Sequence, residues 1–593
     1  MAEYDKKKEN RYTRDEQLRA TLELERTSFT AHWRDLADYI RPRRARFTVT
    51  DVNKGDRRNT KIIDSTATLA ARTFRSGMMA GVTSPSRPWF RLTTHDPDLA
   101  ELPGVKFWLH TVTRRMEDIF GRSNLYRTLP IIYGDLCTFA TSAMFLEEDL
   151  TGKVIRTTAL PIGSYMIATN QHGIVDVIVR DFQMTVRQIV NTFAEKSGDD
   201  YVWDNISEHV KNLWLTNQRD TWITVCHLIE PNDEFDPKKL GAAYKRYRSC
   251  YYERGVSGNG QNYGSDVKDK DQRLRESGFD RFPVLCPRWE ITGEDVYGTD
   301  CPGMDALGDI KQLQLGERRI MQAIEKSINP PMNAPTELKN AKASVLPGDI
   351  TFVNVREGMK GFVPSYQIDP RVQELEAKQE QVRQRIRRTF FEDLFLMLAM
   401  DQRQQPATAR EIEERHEEKL IGLGPVLEQL NQDLLDPLID LAFDIMLRQG
   451  LIPEAPPELQ GQSLKVEYVS IMAQANKLIG LAGMDRLMGF VGEAAKAQVA
   501  AGMPPDVLDK VDLDQTTDVY AERLGVDPGV TRSDEQVAEI REARAQAQQQ
   551  AMLMEKLKTG SETAKNLAGA SVEDDNALKR LLDGAKSGKM VAA

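Results

Sequence analysis

The stretch EKSINPPMNAP, residues 325–335, constrains this chain more than any other. A long charged helix must end against Pro330 and Pro331, because proline lacks the N–H a helix needs and its ring clashes with the preceding turn. Before that stop, Met304, Leu307, Ile310, Leu313, Ile320, Ile324 and Ile328 recur at helical spacing and leave the other faces polar. The predicted helix is about 25 residues or ~37 Å long and hides one narrow seam. A return helix opens at IDPRVQELEAKQE, with Asp369 as N-cap and Pro370 in the first turn, and passes through Val372, Leu375, Val382, Ile386 and Phe390 to Met400. The intervening segment carries Pro335, Pro347, Gly348, Gly358, Gly361 and Pro364. The pattern predicts a hairpin projecting from a body, with too little apolar surface to stand alone in water. Two arrangements meet that need: an antiparallel coiled-coil arm, or copies packed side by side in a ring, with polar faces turned to a central channel.

The rest of the chain reads as a helix-rich body with a β-containing part. Its 593 residues exceed one hydrophobic core and suggest about three or four structural units. Leu18, Leu22, Phe29, Trp33, Leu36 and Ile40 predict a first helix that ends at Pro42, opened by a capping box of Thr13 and Glu16. The basic run that follows, with Lys54, Arg57, Arg58 and Lys61, fits either a solvated ion-pair source or a phosphate contact. Residues 60–145 read as further helices, with Trp89 and Phe90 re-entering a core. From 142 to 295 the period falls to two: SAMFLEED, GKVIRTTAL, SYMIATN, IVDVIVRDF, WITVCHLIEP, AAYKRYRSCYYER and FPVLCPRWEIT are short and rich in Val, Ile, Tyr and Thr. NQHG at 170–173 reads as a hairpin turn, and TVRQIVNTFAEK at 185–196 as an interrupting helix. Further helices follow Thr408, one ending at Gly450, and the chain turns Ala/Gln/Glu-rich beyond about 535 before a loosely ordered tail over 559–593.

Motifs for chemistry are missing from the sequence. LTGKVI and KSGKM lack the earlier glycine and the following hydroxyl of a phosphate-cradling loop, and neither H-E-x-x-H nor G-x-S-x-G occurs. The seven histidines are dispersed, and the five cysteines (137, 226, 250, 286, 301) form no Cys-x-x-Cys pair, which points to neither a zinc site nor a disulfide framework. Neighbouring carboxylates such as Glu147/Glu148 and Glu413/Glu414 do not face each other on a helix. The most apolar run, LFLMLAM at 394–400, is far short of the ~18 residues that span a bilayer, so no membrane step is expected. A net charge of −10 argues against a protein that wraps nucleic acid by neutralising phosphates.

Five segments, in this order, give the chain a family resemblance: SGMMAGVTSPSRPWFRL (76–92), LYRTLPIIYGDLCTFATSAMFLEED (125–149), VYGTDCPGMDALGDIKQLQ (296–314), EKSINPPM (325–332) and QPATAREIEERHEEKLIGLGPVLEQLNQDLLDPLI (405–439). Over roughly residues 15–500 the chain resembles the portal, or head-to-tail connecting, proteins of short-tailed, podovirus-type bacteriophages. The resemblance implies an α+β, mainly helical portal fold, without enzymatic activity or cofactor, and a homo-oligomeric, dodecameric ring around a DNA channel at one capsid vertex of the virion, assembled in the host cytoplasm. It divides the chain into a wing over 1–303 (β-containing over about 142–295), stem helices over 304–328 and 371–400, a clip over 329–370, a tunnel loop over 401–408, a long wing helix over 409–465 and a crown over 466–558. The stem seam is then Leu307, Ile310, Leu313, Ile320, Ile324, Val382 and Ile386. Asp401, Gln402, Arg403, Gln404 and Gln405 face double-stranded DNA in the tunnel loop, and Pro330, Pro331, Asn333, Lys339, Lys342, Arg356 and Lys360 form the clip surface for terminase and, later, tail adaptor proteins. Capsid and scaffolding proteins are the remaining implied partners. Arg383, Arg385, Arg387 and Arg388, near the stem's upper end, serve either DNA contacts or ion pairs between subunits. The alternative is a tail adaptor or scaffold ring component that conducts no DNA.

Overall fold

Helix α1, Arg11–Ile40, buries Trp33, Leu36, Ala37 and Ile40 completely at its C-terminal end. At its N-terminal end the buried positions are Leu22 and three polar residues, Asp15, Arg19 and Arg26, because this half lies on a sheet that answers them. Arg248 donates to Asp15 at 2.8 Å, and Arg26 donates to the carbonyls of Gly163 and Tyr165 at 2.8 and 3.1 Å. The helix is already formed at Arg11, so Thr13 lies inside it and does not cap it. The computed structural model describes residues 11–44, 46–48, 55–96, 99–100, 102–197, 200–254, 273–328, 330–333, 363–364, 372–400, 423–459, 461–469, 481–500, 504, 506–524, 537–552 and 554. The chain divides into two units, Met1–Ala100 with Gly104–Met484, and Glu101–Pro103 with Asp485–Ala593.

In the larger unit, helix α2, Thr66–Gly81, leads into strand β1, Phe90–Thr94, and helices α3, Pro103–Arg122, and α4, Leu125–Phe139, follow. The expected change of period at 142 is real. Strands β2, Ala143–Asp149, and β3, Val154–Leu160, join the short β11, Val284–Leu285, in one antiparallel sheet of order β11-β2-β3. A five-stranded antiparallel sheet of order β10-β9-β8-β5-β4 combines β4, Tyr165–Thr169, β5, Val175–Thr185, β8, Trp222–Pro231, β9, Tyr247–Glu253, and β10, Arg273–Phe279. NQHG makes the turn between β4 and β5: Gly173 takes φ +73° and the Asn170 side-chain oxygen accepts from the N–H groups of His172 and Ile174. The interrupting helix is α5, Val186–Phe193, opened by a capping box of Thr185 and Gln188, and it packs with helix α6, Glu208–Leu215, on one end of the sheet. On the opposite face Leu22 of α1 meets Met166, Val179, Cys226, Leu228, Cys250 and Tyr252.

Several strands lay outside the sequence reading. The segment RLRESGF of β10 is charged enough to hide its strand character, and β1 pairs antiparallel with β14, Leu464–Tyr468, from Phe90↔Tyr468 to Thr94↔Leu464. Residues 464–468, where a long wing helix over 409–465 is expected to give way to the crown, are thus a strand whose partner lies far away in sequence. The preceding helical run spans α10, Gly424–Leu430, one π turn over Asn431–Leu435 and α11, Asp436–Arg448, and closes at Gly450 with φ +67°. The described residues of the smaller unit are mainly helical: α12, Leu481–Ala500, lies in it from Asp485 on, followed by α13, Leu513–Leu524, and a run over 537–552, whose Arg541 pairs with Asp514 at 2.6 Å. The tail over 559–593 lies outside the described residues.

Candidate docking hairpin

Helix α7, Leu307–Ile328, stops immediately before the proline pair, as the sequence predicts. The return helix differs from expectation. It is broken into α8, Val372–Thr389, and α9, Glu392–Met400, at Phe391, which adopts φ +55°. The break re-aims the chain so that Phe395 seats against Phe74 of α2, with ring centroids 5.4 Å apart. Gly77 makes this seat possible: a Cβ there would stand 2.1 Å from the Phe395 ring. Asp369 and Pro370, the expected start of the return helix, lie outside the described residues.

The root of the hairpin is covered by its own chain. Leu307, Ile310, Leu313 and Ile320 of α7 and Val382 and Ile386 of α8 are all buried, and Phe390 joins the same core. The two helices approach closely at Gly316, where a Cβ would stand 2.0 Å from the Gln379 amide nitrogen. A polar lock then fixes this root to the body. The buried Gln314 side chain accepts from the N–H groups of Ile63 and Asp64 at 2.6 and 2.8 Å and donates to the Asp64 carbonyl at 2.8 Å. Asp64 in turn accepts from the Thr66 N–H at 2.7 Å and from Arg383 of α8 at 2.8 Å. Burial works against its charged form, but the Thr66 contacts and Arg383 outweigh it and hold the carboxyl below its ordinary range. One turn of chain, residues 61–66, thus receives a contact from both helices of the hairpin.

Three arginines of α8 pair within the chain. Arg383 also donates to Glu317 at 2.5 Å and Glu380 at 3.2 Å, Arg385 meets Asp309 at 2.8 Å, and Arg387 lies 3.5 Å from Glu380 and 3.6 Å from Glu392. Lys311 adds a pair with Asp35 at 2.7 Å, and Lys61 of the basic run pairs with Asp38 at 2.8 Å. Carboxylates of the same chain therefore occupy Arg383, Arg385 and Arg387, and Arg388 is exposed.

Beyond the body the seam continues without cover. Ile320 is 6% exposed, Ile324 one turn on is 37% and Ile328 79%, and Met321 and Leu375 are exposed beside them. Past Ile328, Pro330 is half-buried and Pro331 and Asn333 are exposed. A two-residue antiparallel ribbon, β12, Met332–Asn333, with β13, Val363–Pro364, then draws both ends of the Pro/Gly excursion together. Lys339, Lys342, Arg356 and Lys360, and the whole run Asp401, Gln402, Arg403, Gln404 and Gln405, lie outside the described residues.

Elsewhere the titratable groups are structural. All five cysteines are free and buried, and burial pushes the thiols of Cys137 and Cys250 up to about 11 and 12, which leaves them poor nucleophiles. Among the described residues no group of His, Cys, Asp or Glu has the arrangement of a metal site, and no helix is long and apolar enough to cross a membrane. The lock at Gln314 escaped the sequence reading, since a glutamine on a polar helix carries no local signal of its distant partners.

A mixed helix-and-sheet body that extends a two-helix arm with a Pro/Gly tip has the character of an assembly component. Comparison with known proteins gives its class: residues 14–531 match the family described as bacteriophage head to tail connecting protein, and the chain belongs to that family. It is 46% identical over 567 residues to the portal protein of Salmonella phage epsilon15, covering 95% of this chain and 97% of that one. It is 41% identical over 557 residues to the probable portal protein of Bordetella phage BPP-1, covering 94% and 95%. The expected resemblance to phage portal proteins is thereby borne out.

Proposed function

We propose that this chain assembles as a closed homo-oligomeric ring at one capsid vertex and serves as the conduit through which phage DNA enters the head and later leaves it. The observation that carries the reading is the half-covered seam: a chain of the connecting family presents Met321, Ile324, Ile328 and Leu375 to solvent along an arm that its own body shelters only at the root. Neighbouring copies would cover this strip at the cost of little conformational entropy, because both helices are already ordered. In this reading residues 1–303 are the wing, the hairpin is the stem, 329–370 the clip and 401–408 the tunnel loop, with a crown formed from the C-terminal helices. The clip docks terminase during packaging and tail adaptors afterwards, while capsid and scaffolding proteins meet the ring's outside. The chain itself performs no catalysis. A net charge of −10 suits a conduit, since every phosphate contact that releases counterions would add friction.

Negative-stain images of the purified full chain test the ring: closed particles with a lumen wider than B-DNA are expected, and a well-folded monomer at high concentration overturns it. Deleting 333–365 should leave a folded oligomer that recruits neither terminase nor adaptors. Unchanged recruitment would reject the clip assignment.

A further inference from the structure

The hairpin carries opposite charges on opposite faces at one level along its length, and we propose that consecutive copies interlock there, the acidic groove of one hairpin receiving Arg319 and Lys378 of the next. This rests on the ring proposed above and names the contact that closes it. The groove, about 450 Å³, runs between α7 and α8 and is lined by Glu317, Glu376 and Glu380 together with Ile320, Ala377 and Arg383. Arg383 neutralises part of this charge through Glu317 and Glu380. Glu376 has no ion pair among the described residues, and it is exposed.

Helix geometry sets the other face. Residues two apart on a helix point ~160° away from each other, so Arg319 faces away from Glu317, and Lys378 away from both Glu376 and Glu380. Both cations are exposed, and the one contact described for either is from Arg319 to Gln322 at 3.3 Å. The antiparallel approach of Gly316 to Gln379 puts residues 316–319 level with 376–379. Acid and base therefore stand at the same height on opposite sides of one arm. Rotation about a ring axis parallel to the hairpin leaves height unchanged, so the basic face of each copy meets the acidic groove of its neighbour. That is the condition for a head-to-tail contact to close on itself. A duplex finds no such match in the groove, whose carboxylates repel phosphate.

The test uses the full-length chain and two double variants, Arg319→Glu with Lys378→Glu, and Gln373→Lys with Glu376→Lys, together with the quadruple variant that exchanges both faces. None of these four side chains supports the hairpin's own fold through an ion pair among the described residues. Each double variant should lower the ring fraction about tenfold at fixed concentration and 0.1 M salt, read by mass photometry, and the quadruple variant should recover it. Rings that form equally well in both double variants overturn the interlock while leaving the ring itself standing. Loss in the doubles without recovery in the quadruple variant also overturns it, since the residues would then act other than by pairing. A wild-type chain that forms no rings overturns instead the functional reading beneath it.

Discussion

The two halves of the hairpin share one periodicity and have different fates. From Leu307 to Ile320 the seam is closed by α1, by α8 and by the lock at Gln314, whereas from Met321 to Ile328 the same stripe of the same helix lies open. The stripe therefore records a need for cover and says nothing about what supplies it. A helix buried throughout by its own chain would be a core element, and one open throughout would not be stable. A helix held at the root and open toward the tip is an arm fixed in direction, ready for partners.

Substitutions sort the halves by size of effect. Ile310→Asp, in the fully buried root, should destabilise the folded chain by more than about 4 kcal/mol in chemical denaturation, because an unpaired carboxylate replaces a core side chain. A loss under about 1 kcal/mol would mean that the root is looser than its burial implies. Gln314→Ala should cost about 2–3 kcal/mol, since it strands two N–H groups and a carbonyl in the 63–64 turn. Gln314→Glu separates packing from hydrogen bonding: it keeps the acceptor and loses the donation to the Asp64 carbonyl, so it should fall between wild type and alanine.

Much of this arm was readable before any coordinates, for reasons that also mark where reading stops. Pro330 fixes the end of α7 by covalent geometry, and the 3.6 period of Ile310, Leu313 and Ile320 fixes the inward face, so both are local properties. The break at Phe391 is not local: it follows from Phe395 finding Phe74 and the bare backbone of Gly77, three places in the chain that no short window joins. The same holds for β1 with β14, and for the arginines of α8, whose partners Asp64 and Asp309 are remote in sequence. Family motifs conveyed the resemblance to portal proteins, whereas composition and spacing alone left the arrangement open between an arm and a ring.

Charge draws the contrast again, with a smaller effect. The hairpin's cations are mostly solvated, whereas His227 in the five-stranded sheet is sealed: Arg180 donates to its Nδ1 at 3.0 Å, Ser249 lies 2.9 Å from Nε2, Tyr251 stacks on the ring at 3.8 Å, and Phe145 meets it edge-on. Because Nδ1 accepts, the proton resides on Nε2 and the ring is neutral. Burial first, then Arg180 and Arg275, holds its pKa well below the ordinary 6.5, and the Glu147 carboxylate acts on the neighbouring Tyr251. The unfolded chain takes up this proton more readily than the folded one. Stability is therefore complete above pH 6.5 and falls by up to ~1.4 kcal/mol per unit as pH drops below it. His227→Gln should flatten that slope between pH 6.5 and 5 in denaturation curves, and an unchanged slope would place its source elsewhere.

The smallest effect on folding is the most telling about assembly. Ile324→Asp lies one turn beyond Ile320, on the open half, and should change the stability of the isolated chain by less than about 0.5 kcal/mol. If neighbouring copies shelter the seam, the same substitution puts a charge into an interface between copies, and rings should fail to form although the monomer is sound. If rings form as before, the distal half is a free coiled-coil arm and the copies meet elsewhere. Ile320→Asp, by contrast, should disturb folding first and assembly only as a consequence, so the pair of variants, measured by denaturation and by mass photometry on the same samples, locates the point along α7 where the chain's own core gives way to its neighbours.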